Sequence, residues 1–465
     1  PPIGKESLYA TQFKNLPIGQ MEEKFADYGE VQIKQLNDRS KMYYTPNKEN
    51  NVFQLVVQYG AGEREFPKLG YAAQLMNNAG IMGAYEPQEL KEELSKLNAT
   101  CHVTADDDNL YIIMEGYEAT LPQACQLLSR QILMPKLDEK QLARLKGSAM
   151  GMRQQRKDNV SILNEALRQY MLYGEKSDYI KELTDKEIYE LQISELTGDI
   201  NRASNYEAKV FFTGTLPFDQ VYDILSKNLP LVANERPSNS PQAKDMMPVT
   251  ENTVYFLPNN DAEQAQIHLY IPMQKADKKD DVLRSAFNQY FGLDFTGIVL
   301  NEIREKRSMA YTAYAFVGTQ GIAGKASYLR GYIGTQNDKA NDALDVLMGL
   351  VNDMPKNPER IDNIKSYLRQ AMLTSHPSFR NKAMELVDLG YRGYTDDPAK
   401  ENLPKVDALT FDDIVKFYEE NIKDKPYCIS IMGNPKNIDL KRLEKFGKVV
   451  KLNERKLFNT KDALF

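Results

Sequence analysis

Residues 52–59 and 266–271 alternate apolar and polar side chains with the two-residue period of a half-buried strand. Each is followed by a polar, charged loop and then by helical periodicity, over about 70–79 and 280–291. Gly80 and Gly292 stand where those helices would close, as helix C-termini favour glycine. Second helices are predicted at about 87–97 and 297–307. Two strands joined by a polar turn come next, then longer helices at about 118–132 with 138–155 in one stretch and 337–352 with 358–374 in the other. Further helices at about 184–200 and 410–421 lead to closing strands at 209–213 and 427–432.

The same order of elements thus occurs twice, and particular residues repeat with it. Met134-Pro135-Lys136 recurs as Met354-Pro355-Lys356, Gly116 in the segment 110–117 matches Gly331 in 326–332, and Gly214 matches Gly433. An ordered series at nearly constant spacing is the signature of a duplicated unit. Strands cluster apart from helix pairs, so the predicted fold class is α+β. Two homologous two-layer α/β sandwich domains are expected, each a mainly antiparallel sheet with helices on one face. The most linker-like stretch, Arg236-Pro237-Ser238-Asn239-Ser240-Pro241, places the boundary between a first domain at 1–240 and a second at 241–465.

Composition narrows the function. The 465 residues carry 59 Lys+Arg against 65 Asp+Glu, a net charge of -6, which gives no basic field to hold a nucleic acid. No apolar run reaches the roughly 18 residues of a membrane span. Cys101, Cys125 and Cys428 are too scattered for a disulfide framework or a thiolate zinc site. The chain opens Pro1-Pro2-Ile3-Gly4, which reads as a processed protein or a piece of a longer one and leaves the compartment open.

Candidate chemistry is sparse. Of the three histidines, His102 and His268 fall in predicted strands and His376 in a loop, and none has a metal-ligand partner at helical spacing. No G-x-S-x-G occurs. The glycines at 318, 321 and 324 imitate a phosphate loop, but the spacing is one residue too long and Ala326 stands where a Ser or Thr would hold Mg²⁺; a hairpin turn is expected. Asp106-Asp107-Asp108-Asn109 is likewise read as a hairpin turn, since it lacks the alternating spacing of a calcium loop. One segment stands apart: Leu300 and Ile303 can face a core, leaving Arg304 and Arg307 at the helix flank, with Tyr311 beginning the next strand. Taken alone, it is a weak motif and reads as a surface arginine paired with a helix-face glutamate and a tyrosine packed in a sheet.

The repeated domain, the R-E-x-x-x-x-A-Y string from Arg304 to Tyr311 and the Pro-x-x-x-Glu helix starts resemble the pitrilysin/insulinase family of zinc metallopeptidases, the inverzincins, over about residues 45–450. The resemblance implies a clamshell of two halves, each of two homologous domains, that encloses a peptide in a chamber. It implies that zinc is bound by H-x-x-E-H on the first helix of the catalytic half, and that Arg304 and Tyr311, seven residues apart, contact the substrate from the other half. Counting back from Gly80, the zinc-motif positions fall at Tyr71, Gln74 and Leu75, and the stretch 70–80 contains neither His nor Glu. No catalytic or metal-binding residue is therefore expected on this chain. The resemblance points to the non-catalytic half, either the C-terminal part of a long single-chain peptidase or a separate subunit, inactive alone. Its implied partners are a zinc-bearing half and an unstructured peptide substrate, and it leans towards an exported protein. A structural or peptide-binding scaffold on the same fold, with no peptidase role, remains the alternative reading.

Overall fold

The computed structural model describes residues 8, 9, 12, 22–293 and 296–461. Eight strands come first: β1 (Gln32–Gln35), β2 (Lys41–Pro46), β3 (Val52–Tyr59), β4 (Gly80–Ile81), β5 (Ala99–Ala105), β6 (Leu110–Tyr117), β7 (Pro135–Lys136) and β8 (Ala208–Gly214). Six follow: β9 (Thr253–Pro258), β10 (Gln264–Lys275), β11 (Ala310–Thr319), β12 (Ala326–Gln336), β13 (Cys428–Gly433) and β14 (Lys448–Lys451). Two six-stranded sheets result, ordered β1-β2-β8-β3-β6-β5 and β11-β12-β10-β13-β9-β14, while β4 and β7 form a small separate pair. Five strands of each sheet correspond: β2-β8-β3-β6-β5 reads as β9-β13-β10-β12-β11, antiparallel except for the β2–β8 and β9–β13 pairs. The α+β class with two mainly antiparallel sheets is as the sequence predicts.

Each half buries its own core between one sheet face and its helices. In the first, Phe53, Leu55 and Val57 of β3 pack with Leu69, Leu121 and Leu196; in the second, Ile267 and Leu269 of β10 pack with Phe287, Leu344 and Ile414. The alternation of the strands dictates this, since successive side chains point to opposite faces.

The other sheet faces are not left bare, a feature that periodicity alone does not predict. The helix Val160–Tyr173, from the first half, lays Leu163, Ala166 and Leu167 against Leu257 of β9 and Met432 of β13. Reciprocally, the helix Lys382–Tyr391, from the second half, sets Ala383 against Val56 and Phe211 of the first sheet. The halves interlock by exchanging one helix each.

The repeat has a different register from the one read off the sequence. Gly116 lies across from Phe53, whose other neighbour is at the level of Gly214; Gly433 is at the level of Ala265, which lies across from Thr335. Gly116 is thus matched by Thr335 and not by Gly331, which sits opposite Leu269. Met134 and Met354 also differ, the first 53% exposed and the second 1%. The match of Gly214 with Gly433 holds for a physical reason. A Cβ at Gly214 would stand 2.2 Å from a carboxylate oxygen of Glu118, and one at Gly433 would stand 2.7 Å from Asn337 Oδ1. Those same side chains accept the backbone N–H groups of Thr215 and Asn434, tying the end of each closing strand to the helical start that follows β6 or β12.

The segment 236–241 is not a loose tether. Arg236 N–H donates to Asn205, Glu207 N–H to Arg236, and Asn239 N–H to Gly60, so the proline- and serine-rich stretch is strapped along the first half.

Candidate functional site

The segment carrying Arg304 and Tyr311 is locally irregular. A single helical turn, Ile298–Leu300, passes into a π-helical turn, Asn301–Glu305, closed by Lys306 N–H donating to Asn301 C=O. Such turns widen a helix by one residue and are frequent at functional sites. Ile298, Val299, Leu300 and Ile303 are buried, which anchors the turn and leaves residues 304–307 outside. Ser308 ends it at φ 50, with its N–H on Arg304 C=O and the Met309 N–H on Ile303 C=O, the double bond of a left-handed helix terminus.

The chain then enters β11, an edge strand. Its pairing with β12 runs Ala310 to Thr335 and then Thr312 to Gly334, so Tyr311 is the extra residue of a bulge. The bulge restores the core-facing alternation of Ala310, Ala313, Ala315 and Val317 and turns Tyr311 outward, where it is 77% exposed. The Arg304 guanidinium lies 5.3 Å from the centre of the Tyr311 ring, a cation–π geometry, and its side chain is about one-third exposed. Its carboxylate neighbour is Glu305, at 3.5 Å. Glu302 is occupied otherwise: Lys306 and Arg307 hydrogen-bond its carboxylate and hold it below the usual carboxylate range. The structure therefore brings the two sequence-predicted residues together, with donor groups facing solvent.

The zinc-motif positions give a different picture. The helix after β3 spans Leu69–Met76 and ends at Asn77; Gly80 belongs to β4 and does not cap it, whereas Gly292 does cap its counterpart Asp281–Phe291. Tyr71 is half-buried, Gln74 is exposed, and Leu75 lies in the apolar core, so these side chains cannot bind zinc as a set. Among the described residues no cluster of three His, Cys, Asp or Glu could hold a metal. His102 and His376 are exposed. His268 is buried between the halves, its Nε2 3.0 Å from Asn164 Oδ1, and burial together with Arg330 and Arg168 pushes its pKa down to about 3. Residues 320–325 and 106–109 are hairpin turns, with Gly321 and Gly324 at positive φ, while Gly318 still belongs to β11.

A pair of asparagines is not singled out by the sequence. Asn77 donates from Nδ2 to Val103 C=O at 2.9 Å and accepts the Val103 N–H at Oδ1 at 2.8 Å. Asn288 treats Val317 in the same way, at 3.0 and 2.6 Å. Each amide thus occupies the free backbone of an edge strand, β5 in the first half and β11 in the second. The one signal in the sequence is the recurrence of an Asn–Val couple at similar spacing.

Residues 204–368 match the family model for the peptidase M16 inactive domain, a stretch that includes Arg304 and Tyr311. No curated protein matches the sequence. Among solved structures the chain resembles the peptidase M16 inactive domain from Pseudomonas fluorescens, at 17% identity and TM-score 0.68, covering 88% of this chain and 99% of that one. A conserved protein from Enterococcus faecalis V583 is similar at 15% identity and TM-score 0.70, covering 88% and 100%. The ferredoxin protease FusC, solved as a mutant in complex with Arabidopsis ferredoxin, is similar at 12% identity and TM-score 0.67, covering 91% of this chain and 49% of that one. The chain thus spans about half the length of that protease. At these identities the likeness is one of fold.

Proposed function

From a chain that carries a peptidase M16 inactive domain over residues 204–368 and shares the inactive-domain fold along most of its length, we propose that it acts as the substrate-gripping, non-catalytic half of a zinc endopeptidase. It would complete a peptide-enclosing chamber with a half that supplies the metal and the general base. The observation that carries the reading is the Arg304/Tyr311 pair: a guanidinium and a phenol, stacked and solvent-facing, on a bulged edge strand. A guanidinium and a phenol can both donate to a peptide carbonyl, and donors aimed at a developing oxyanion are worth more in the transition state than in the ground state. The similarity to a protease solved with a protein bound supports a polypeptide substrate.

The test is kinetic. In the complete assembly, Arg304→Ala and Tyr311→Phe should each lower kcat/KM for an unstructured peptide by roughly 10²–10³-fold, the range of a fully engaged oxyanion donor. Unchanged kinetics for both variants would return the pair to a structural role and favour a scaffold.

A further inference from the structure

The two halves seal their edge strands unequally. In β11, Val317 is held by Asn288, and the next outward position, Ala315, donates its N–H to Gly292 C=O at 3.0 Å. In β5, Val103 is held by Asn77. Antiparallel pairing alternates, so Cys101, two residues before Val103, also turns its N–H and C=O away from β6. No described residue meets them. An unsealed edge is a template for another strand.

Beside this open stretch lies a cleft of about 600 Å³, within the range of ligand sites. Its lining includes the apolar Met76, Leu90, Leu94 and Val103 together with Cys101, and Lys91 and Glu115 also border it. The cleft exists because the helix Pro87–Lys96 buries only Leu90, whereas its counterpart in the second half fills the equivalent space with Ile298, Val299, Leu300 and Ile303. Burial pushes the Cys101 thiol up to about 12, which leaves it a packing group and not a nucleophile.

We propose that this cleft and the open backbone at Cys101 form a second peptide-docking site, taking an extended segment that carries one large apolar side chain. The pairing fixes the register. A residue placed opposite Cys101 exchanges both backbone hydrogen bonds with it and projects its side chain on the same face as Cys101, into the cleft. Asn77 ends the pairing at Val103, so the added strand is short and the apolar anchor carries the selectivity. The site lies in the other half from Arg304 and Tyr311 and does not depend on their role.

The chain has no tryptophan, so a single tryptophan in a peptide reports its own environment. The probe is a capped heptapeptide of threonines with tryptophan at the centre, added to the intact chain. A saturable blue shift is expected with a dissociation constant below about 1 mM, together with slowed amide exchange at Cys101. Replacing the tryptophan by serine removes the reporter, so that peptide is read by competition against the tryptophan peptide, and it should bind about 10–100-fold more weakly, the worth of burying one large side chain. Methylating the tryptophan backbone nitrogen should weaken it by at least about tenfold, since the bond to Cys101 C=O is lost. Cys101→Phe, which fills the cleft, should abolish binding; the two peptide variants carry the test if that protein does not fold. Arg304→Ala should leave the affinity unchanged. The proposal is overturned by no saturable shift, by indifference to N-methylation, or by loss of binding in Arg304→Ala, which would place the peptide at the other site.

Discussion

The first and second halves share a frame down to individual hydrogen bonds and differ where the second helix of each meets its sheet. Both have the five-strand order, the Asn clamp on an edge valine, and a polar side chain at 118 or 337 that ties down the closing strand. In the first half that second helix is a regular ten-residue element with a capping box and a mostly polar surface, resting lightly over a cleft. In the second it is short, apolar and π-distorted, packed down hard, and its last turn carries the partly exposed Arg304. The lesson is that a duplicated frame leaves its attachments free to diverge. A change of apolar content in one helix turns a solid core into a cleft, and a one-residue bulge turns a strand position into a solvent-facing tyrosine.

The comparison presumes that the frame is one cooperative object, and the exchanged helices test this. Leu167 is fully buried, in the cluster that joins the helix Val160–Tyr173 to β9 and β13. Leu167→Ala should cost about 2–5 kcal/mol, as for other buried leucines, read as a lowered urea midpoint with a single transition retained. Two separate transitions in the unmodified protein would mean that the halves fold independently and that the exchanged helices are superficial.

How much of this is legible in the sequence follows from the kind of signal involved. The strands and most helices show in periodicity, and Arg304 and Tyr311 are visible because a motif fixes both residue types and their spacing. Gly214 and Gly433 match correctly because no side chain fits beside Glu118 or Asn337. Gly116 and Gly331 are mismatched by four residues, since a slip of an even number leaves the in–out alternation of a strand intact. The exchanged helices are hidden because an amphipathic pattern says that a face is buried and not against which sheet. The bulge at Tyr311 and the clamps of Asn77 and Asn288 rest on single residues in three-dimensional contact, with no periodic trace.

A further asymmetry sits at the interlock. His268 faces Asn164 and Arg168 of the exchanged helix, and Arg330, Tyr332 and Ser430 of its own sheet. Among the described residues the one histidine of the first sheet, His102, is exposed, and that sheet meets the helix Lys382–Tyr391 with apolar residues such as Val56 and Phe211. His268 is neutral in the fold and its pKa lies below the ordinary value near 6.5. The unfolded chain therefore binds more protons on acidification, and stability present above about pH 6.5 is lost as the pH falls towards 3. Between pH 6.5 and 4 this site should cost roughly 2–4 kcal/mol. His268→Asn should flatten that part of the stability profile; an unchanged slope would assign it to the carboxylates.

The smallest effect is the sharpest test of equivalence. Asn77 and Asn288 each make two hydrogen bonds to an edge valine, one given and one received. Alanine at either position exposes the same backbone groups, at a cost of roughly 1–3 kcal/mol if they stay dry and less if water reaches them. At Val317 the neighbouring Ala315 remains pinned to Gly292, so the edge should stay in place and water should enter slowly. At Val103 the neighbour Cys101 is already open beside the cleft, so water has a path to the released groups. Asn77→Ala is accordingly expected to cost less stability than Asn288→Ala, and to speed amide exchange at Val103 more than the second substitution speeds it at Val317. Equal costs with equal exchange would mean that the two edges are sealed alike, and the distinction between an open first half and a closed second would fail at its source.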